Sequence, residues 1–323
     1  MKMILCLLAA ALASGQINDS RAQSVKPVKV ALVKNAYSGN REQAELSSGP
    51  EALVRGGLAE TIAKSGCDVA PVRDARLTAD QEKEYGAWQR LSLANGQLAG
   101  LVAASLREGR FPVGLLANCN GLLGMLAGIQ HSGPGNQPLK VGLVYIDAHA
   151  DFNTPETTLS GMLGGMPVAV SAGLCLTRLR LQSRLDPPLP FSHIVLAGVR
   201  DVDPLEQELL DRHRIERIPA AELRGTASII QEQMKRLSGL TDRVYVHIDM
   251  DVLDPGEVAG HPLTVKGGPT SRDLAQALAT MFRYPKAAAL GIASYPADRD
   301  KDRISLKAAY ALIEGAIHGM QSR

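Results

Sequence analysis

The stretch 142–153, GLVYIDAHADFN, joins a short apolar run to three ionisable residues at alternate positions. The run 142–146 is continuously apolar, as the buried strands of a parallel sheet are. Asp147, His149 and Asp151 follow it, and side chains two residues apart on an extended chain project from the same face. Since ligands of open α/β sheets bind beyond the carboxyl ends of the strands, this stretch predicts a site at that edge of a sheet.

The rest of the chain alternates similar apolar runs with segments whose apolar residues have helical spacing. This repeated β-α order predicts an α/β fold in which one mostly parallel sheet lies between helical layers. Thr270 and Asp273 have the spacing of a capping box at the start of a helix. The predicted strands are VKVALV (28–33), FPVGLLA (111–117), GLVYI (142–146), HIVLAG (193–198), RVYVHI (243–248) and AAALGIAS (287–294), and the predicted helices span residues 50–66, 91–109, 271–282 and 304–320.

A second polar cluster follows the predicted strand 243–248, where Asp249 and Asp251 are again two residues apart. Carboxylates that converge on one sheet edge repel strongly unless cations lie between them. Carboxylate and imidazole ligands suit Mn²⁺ and other borderline divalent metals. A single D-x-H-x-D or D-x-D motif is also consistent with a solvated turn, but two such motifs, each ending an apolar strand, favour a metal centre.

Composition and charge narrow the function further. The chain has 323 residues, of which 35 are basic and 33 acidic, so the formal net charge is +2. There is no basic block or aromatic-rich patch, and nucleic-acid binding therefore has no electrostatic support. The sequence shows no internal repeat or long linker, and residues 26–323 are predicted to form a single domain.

Residues 1–25 have the pattern of a secretory signal peptide. Lys2 precedes the apolar run 3–13, which ends in the small-residue site Ala11-Leu12-Ala13 and is too short to span a bilayer. We therefore expect a periplasmic or secreted protein without membrane contact after signal removal, and the alternative is an N-terminal extension with no targeting role. Removal of Cys6 with this segment leaves three of the four cysteines, an odd number that argues against a disulfide framework, although a single disulfide pair is the alternative.

Two segments, DAHADFNTPETTLSG (147–161) and HIDMDVLDP (247–255), resemble the metal-binding segments of the arginase–agmatinase (ureohydrolase) family. The resemblance implies an arginase-like three-layer α/β/α sandwich with a binuclear Mn²⁺ centre. It also implies hydrolysis of a C–N bond in a guanidino or amidine group of a small arginine-like substrate, by a hydroxide that bridges the metals, and a trimeric or hexameric homo-oligomer. Shorter similarities lie at residues 48–58, 198–210 and 260–274, and the resemblance covers about residues 28–320.

The resemblance also implies a role for each motif residue in the metal centre. Asp147 and Asp249 are expected to bridge both metals. Asp151 is expected to hold one metal, and His149 with Asp251 the other. Asp151 is also expected to accept a hydrogen bond from the nucleophilic hydroxide and to orient it, which makes it a candidate catalytic residue.

Three further positions match family residues that contact an amino-acid substrate. Asn153 and Ser160 are expected to bind the α-carboxylate and Asp203 the α-ammonium, for which a carboxylate is the appropriate partner. Local structure offers an alternative for two of them. Asn153 precedes a Thr-Pro turn, and Asp203-Pro204 has the pattern of a helix N-cap followed by proline at the first helical position.

The sequence departs from the family at LLANCNGLLG (115–124), where Cys119 stands in the position of a metal-binding histidine. A metal lowers the pKa of a neighbouring thiol enough to form the thiolate ligand. Thiolate is softer than imidazole, so Cys119 shifts the expected preference from Mn²⁺ toward Zn²⁺, Fe²⁺, Co²⁺ or Ni²⁺. The alternative is that Cys119 is a small buried apolar residue.

Two other family residues are missing. Gly164 replaces a histidine thought to shuttle protons, and Ala293 replaces a glutamate that binds the guanidinium group. His261 is the candidate replacement acid, because imidazole titrates near neutral pH, whereas His247 is interpreted as a core residue or one that supports the ligands. The chain is thus predicted to be an amidinohydrolase. The alternatives are a metal-containing binding protein without turnover and a single-metal hydrolase.

Overall fold

The apolar runs of the sequence form a nine-stranded sheet in the computed structural model. Each of the six predicted strands is confirmed, and no end differs from its predicted position by more than two residues. The structure describes residues 27–39, 44–135, 137–223, 227–258 and 260–323. The predicted signal peptide, residues 1–25, lies outside the described residues and stays a prediction. The strands are β1 (Lys29–Asn35), β2 (Asp68–Val69), β3 (Arg73–Asp74), β4 (Phe111–Leu116), β5 (Val141–Ile146), β6 (Ile194–Ala197), β7 (Glu216–Ile218), β8 (Arg243–Asp249) and β9 (Ala287–Ala293).

Helices pack against the sheet from both sides. The helices are α1 (Ala44–Ser47), α2 (Gly49–Arg55), α3 (Leu58–Lys64), α4 (Ala87–Arg107), α5 (Leu122–Gln130), α6 (Pro167–Ser171), α7 (Thr177–Gln182), α8 (Pro204–Arg212), α9 (Ser228–Leu240), α10 (Ser271–Phe282) and α11 (Ile304–Gln321). Thr270 caps α10 by accepting a hydrogen bond from the backbone N–H of Asp273, as its spacing predicts. Within the described residues, no helix is both long and apolar enough to cross a membrane.

The strand order is β2-β1-β4-β9-β8-β5-β6-β7, and β3 also pairs with β1. All of these pairs are parallel. Alternate side chains of each strand enter two separate apolar clusters. In β5, for example, Val144 and Ile146 face a cluster that includes α3, α9, α10 and α11, whereas Leu143 and Tyr145 face one that includes α4, α5 and α6. This arrangement confirms the predicted three-layer α/β/α sandwich.

The predicted helices 271–282 and 304–320 are confirmed to within one residue, and the predicted helix 91–109 corresponds to α4, which begins four residues earlier and ends two residues earlier. Helices α1, α6, α7 and α9 have no counterpart among the predicted helices. The predicted helix 50–66 is divided into α2 and α3, because Gly57 between them has φ = 96°, a left-handed conformation that breaks a helix and favours glycine. Helix α5 was not predicted, because all nine of its residues are buried and its sequence has no polar face that would reveal helical spacing.

The central strands bring together the residues that the sequence analysis selected. β4, β9, β8 and β5 are consecutive neighbours, and Asp249, the last residue of β8, pairs with Ala293, the last residue of β9. Asp147 follows β5 directly, and Cys119 lies three residues beyond β4. Their carboxyl ends therefore meet at one edge of the sheet, as expected for ligand sites in this class of fold.

Glycines of α5 allow close packing against α4, and their substitution is expected to destabilise the fold. A Cβ atom on Gly128 would lie 2.5 Å from Val102 Cβ and 2.7 Å from the carbonyl oxygen of Ala99. We expect Gly128→Ala to reduce the free energy of unfolding by about 1–3 kcal/mol through overpacking. The control is Gly239→Ala in α9, where a Cβ would meet no atom within 4 Å. The higher helix propensity of alanine should stabilise that variant by about 0.5–1 kcal/mol. Urea unfolding measures both, and equal effects would contradict this account of α4–α5 packing.

Candidate metal centre

Three overlapping triads of ligand atoms lie at the carboxyl edge of the central strands. Within each triad, one ligand atom of each residue lies within 4.8 Å of the other two. Each of the three carboxylates belongs to two triads, so neighbouring cations can share them. The triads are Cys119, Asp147 and Asp249; Asp147, His149 and Asp251; and Asp249, Asp251 and His261.

The electrostatics of these carboxylates favour a bound cation. Burial raises the pKa of Asp251 well above its ordinary value, and the charges of Asp147 and Asp249 raise it further. Burial and the charge of Asp147 likewise raise the pKa of Asp249. Burial acts in the same direction on Asp147, but the hydrogen bonds and charge of His149 outweigh it and lower its pKa. Full ionisation of the cluster therefore requires further positive charge, which divalent cations supply.

The Nδ1 atom of His149 lies between two carboxylates, where it could bind one such cation together with them. Nδ1 lies 3.4 Å from Asp147 Oδ1 and 3.2 Å from Asp251 Oδ2. Burial lowers the pKa of His149, but its hydrogen bonds and charge interactions with these two carboxylates raise it to about 12. A metal ion bound to Nδ1 would take the place of that proton, and the donor set of carboxylate and imidazole fits a borderline divalent metal.

Cys119 lies among the carboxylates and also contacts the apolar cluster beneath them. Its Sγ is 2.9 Å from Asp249 Oδ2, 3.8 Å from Asp147 Oδ2 and 3.3 Å from His247 Nε2. Burial raises the pKa of the thiol well above its ordinary value, and the charge of Asp249 adds to the effect. The geometry therefore places the sulfur in a ligand triad and makes the purely apolar role the weaker interpretation.

Asp151 lies outside the three triads found among the described residues. Its Oδ2 accepts a hydrogen bond from the hydroxyl of Tyr145, so the protein itself engages one carboxylate oxygen. Its backbone has φ = 47°, in the left-handed region. Burial and the charge of Asp147 raise the pKa of Asp151 well above its ordinary value. Its expected role as a ligand stays a prediction.

His261 turns its ring toward the same carboxylates from the loop that follows β8. Its side chain is 1% exposed, and Nε2 lies 3.9 Å from Asp249 Oδ1. The backbone N–H of Leu263 donates to Nδ1 at 3.2 Å, so a neutral ring carries its hydrogen on Nε2. Burial lowers the pKa of His261 despite the nearby carboxylates and favours the neutral ring. An Nε2–H group donates a hydrogen bond and does not bind a cation, which argues against the third triad as a metal site.

Sequence reasoning missed two residues that fix the site. Ser294, directly after β9, donates a hydrogen bond from its hydroxyl to Asp249 Oδ2 at 2.5 Å. The signal in the sequence was that Ser294 is the last residue, and the single polar one, of the predicted strand 287–294. The guanidinium of Arg200 donates to the carbonyl oxygens of Asp251, Val252 and Val265. Its bonds hold the turn after β8, but no sequence pattern indicates which backbone groups an arginine will contact.

The expected substrate residues are only partly brought together. Asn153 is buried, and its Nδ2 donates to Asp203 Oδ2 at 3.0 Å. Asp203 also forms a capping box with Glu206 at the start of α8, where Pro204 is the first helical residue, so the N-cap interpretation is confirmed. Ser160 lies in an exposed turn, where its Oγ accepts a hydrogen bond from the backbone N–H of Met162 at 3.2 Å.

The two positions that depart from the family pattern carry no compensating group of their own. A Cβ on Gly164 would meet no atom within 4 Å, so the glycine borders open space. Ala293 is fully buried at the end of β9. An exposed carboxylate that the sequence analysis did not select, Asp201, lies with its Oδ2 3.8 Å from His149 Nε2.

Comparison with solved structures gives the same fold. An arginase from Bacillus subtilis superimposes with a TM-score of 0.79 at 24% identity, covering 90% of this chain and 98% of that one. The native arginase of Bacillus caldovelox gives a TM-score of 0.77 at 26% identity, with coverage of 90% and 98%. A formimidoylglutamase from Bacillus subtilis gives a TM-score of 0.70 at 16% identity, covering 92% and 88% of the two chains.

Comparison with known sequences also finds arginases. The chain is 29% identical over 263 residues to the arginase of Bacillus caldovelox, covering 77% of this chain and 84% of that protein. It is 29% identical over 264 residues to human arginase-1, covering 77% and 79%. The family model described as the arginase family matches residues 28–318, and the chain therefore belongs to the arginase family.

Proposed function

We propose that this chain is a metal-dependent hydrolase of the ureohydrolase type, which cleaves a C–N bond in a guanidino or amidine group of a small, arginine-like substrate. The observation that carries the proposal is the overlap of the ligand triads at the carboxyl edge of the sheet. Membership of the arginase family supports the reaction class. The sequence differences at Gly164 and Ala293 leave the identity of the substrate to experiment.

The two triads that lack His261 would hold two divalent cations, which share Asp147. The first triad supplies the thiol of Cys119, and the second supplies the imidazole of His149. Manganese follows from the family, whereas the sulfur favours Zn²⁺, Fe²⁺, Co²⁺ or Ni²⁺. When bound, such cations lower the pKa of a coordinated water so that it becomes a nucleophile near neutral pH.

The remaining residues would bind the substrate and move protons. Asp151 is proposed to orient the nucleophile through the oxygen that Tyr145 does not engage. His261 presents its Nε2–H to the cluster and is proposed to donate a hydrogen bond, not a proton, to the departing nitrogen, because loss of this hydrogen from the neutral ring would leave an imidazolate. The proton that the departing nitrogen takes up is proposed to come from the attacking water through Asp151. Asn153 and Asp203, which are hydrogen-bonded to each other, are proposed to bind the amino-acid part of the substrate together with Ser160.

A panel of substrates tests the reaction. We expect release of urea, ammonia or an amine from at least one of arginine, agmatine, guanidinobutyrate and formiminoglutamate. Each substrate is assayed with Mn²⁺, Zn²⁺, Ni²⁺ and Co²⁺ in separate reactions. The protein treated with a chelator and dialysed is the control, and readdition of the active metal should restore turnover. A metal-loaded protein that turned over no substrate in the panel would contradict the proposed reaction.

The alternative function is a metal-containing binding protein of the same family that lost turnover. The observations that favour it are the open space beside Gly164 and the buried methyl group of Ala293, where the family places functional side chains. Calorimetry with the same compounds separates the two functions. Tight binding of an amino-acid ligand without product would support the binding protein.

Two further proposals concern the environment of the protein. The pattern of residues 1–25 supports export to the periplasm or the medium, and fractionation of cells that express the full chain tests it. Family membership supports a trimeric or hexameric homo-oligomer, which light scattering of the purified protein measures.

A further inference from the structure

We propose that His247 is a positioning residue of the metal centre: its Nε2–H donates to Cys119 Sγ and holds the thiolate as a ligand, while Tyr245 fixes the ring tautomer. The inference deepens the proposed function and rests on it, because a thiolate ligand requires a metal. It assigns a specific role to a fully buried histidine, for which the sequence left open a place in the core or in support of the ligands.

A chain of short contacts leads from the sheet to the sulfur. The hydroxyl of Tyr245 lies 2.9 Å from His247 Nδ1, and His247 Nε2 lies 3.3 Å from Cys119 Sγ. Tyr245 and His247 are both fully buried. Both belong to β8, the strand that ends in the metal-ligand candidate Asp249, so the chain of contacts is built into the same strand as that carboxylate.

The available hydrogens select one arrangement of these contacts. If the Tyr245 hydroxyl donates to Nδ1, the ring hydrogen lies on Nε2 and donates to the sulfur, and the thiol hydrogen goes to Asp249 Oδ2 at 2.9 Å. In the opposite tautomer Nδ1–H would donate to Tyr245, and the hydroxyl hydrogen would have no acceptor among the described residues. Since buried donors are almost always satisfied, the first arrangement is the consistent one.

This tautomer has a direct consequence for a metal ligand. Cys119 would hold a cation through its thiolate form, and the thiol proton would then pass to solvent. The Nε2–H group still points at the sulfur and then donates to a full negative charge, which strengthens the hydrogen bond. Groups that hydrogen-bond to a ligand in this way fix its orientation and tune the metal.

Packing alone does not account for these contacts. The ring of His247 stacks on Tyr145 with centroids 5.0 Å apart, and a phenylalanine would stack equally well. A Cβ on Gly291 of β9 would lie 2.0 Å from the Tyr245 hydroxyl oxygen and 3.3 Å from His247 Nδ1. The absence of a side chain at this position leaves room for the polar pair.

Absorption spectroscopy of the Co²⁺-loaded protein tests the inference independently of activity. We expect a near-ultraviolet charge-transfer band from thiolate to cobalt, and Cys119→Ser should abolish it. His247→Phe keeps the stacking ring but removes the N–H donor, so the band should move to lower energy and Co²⁺ affinity should fall about 10-fold or more. His247→Gln retains a side-chain N–H donor and should restore the band toward that of the unmodified protein. His193→Phe, at a buried histidine outside the site, is the control and should leave the band unchanged.

Tyr245→Phe removes a single oxygen and tests the tautomer. Without the phenol, Nδ1 loses the donor that holds the ring in place, so the hydrogen bond from Nε2–H to the sulfur should weaken and the band should shift in the same direction as in His247→Phe, by a smaller amount. This variant also decides the matter if His247→Phe does not fold. An unmoved band in both variants, or no thiolate band in the unmodified protein, would overturn the inference while leaving the hydrolase to be judged by the substrate panel. A protein that binds none of the tested metals would contradict the proposed function itself.

Discussion

Asp249→Asn is expected to abolish hydrolysis and to remove at least one bound metal ion per chain. Asp249 belongs to the triad that it forms with Cys119 and Asp147, and its carboxylate accepts hydrogen bonds from Cys119 and Ser294. Asparagine keeps the shape and one oxygen but removes the charge that attracts the cation. Since metal ions supply several kcal/mol of transition-state stabilisation, and about 4 kcal/mol corresponds to about 10³-fold in rate, we expect kcat/KM to fall by about 10³-fold or more.

The stability of this variant separates loss of metal from loss of fold. Burial and the charge of Asp147 raise the pKa of Asp249 in the folded metal-free protein. Ionisation of Asp249 at neutral pH therefore opposes folding when no metal is bound, and a neutral asparagine avoids this cost. We expect metal-free Asp249→Asn to unfold at the same or a higher urea concentration than the unmodified metal-free protein.

Asp254→Asn is the matched control for Asp249→Asn. Asp254 lies five residues further along the chain, in the loop that follows β8, and its Oδ1 accepts a hydrogen bond from the backbone N–H of Gly256. It removes the same charge without touching a triad, so metal content and kcat/KM should remain near those of the unmodified protein. Elemental analysis measures the metal. Full metal content and activity in Asp249→Asn would show that the carboxylate cluster is not the metal centre.

The pattern of apolar residues along the chain allowed most of the fold to be predicted from the sequence. The buried strands of the sheet, such as β5 and β8, are continuous apolar runs, and their order fixed the α/β architecture. The strands β2, β3 and β7 have only two or three residues each, too few to show a pattern. Helix α5 is long enough to show a pattern, but it was not predicted because its sequence is apolar on every side and has no helical periodicity.

Residues of the candidate site could be selected from the strand pattern where they directly follow predicted strands. Asp147, His149, Asp249 and Asp251 could be selected because the ends of parallel strands meet at one edge of a sheet. The partners of these residues depend on which strands are neighbours. Ser294 reaches Asp249 because β9 lies beside β8, which no local pattern reveals. His261 was selected as a candidate acid, but its approach to Asp249 depends on the path of a loop, which no local pattern reveals.

Cys119→Ser is expected to change which metal the protein prefers. Serine is close to cysteine in size and can still donate its hydrogen to Asp249, but its oxygen is a harder and weaker ligand than a thiolate sulfur. We expect affinity for Zn²⁺ to fall about 100-fold and affinity for Mn²⁺ to fall much less, because thiolate contributes more to the softer metal. Competition titrations against a chromophoric chelator measure both affinities.

Cys67→Ser provides the comparison for this change in preference. Cys67 is a buried free cysteine in the apolar cluster on the other face of the sheet, so its substitution should lower stability but leave the ratio of Zn²⁺ to Mn²⁺ affinity unchanged. A parallel loss of both metals in Cys119→Ser would indicate general damage to the site. An unchanged ratio would exclude the sulfur as a ligand, because a bound thiolate must discriminate between soft and hard cations. Cys119 stands where the family has a metal-binding histidine, so we expect the metal preference to depend on this residue more directly than any other property of the site does.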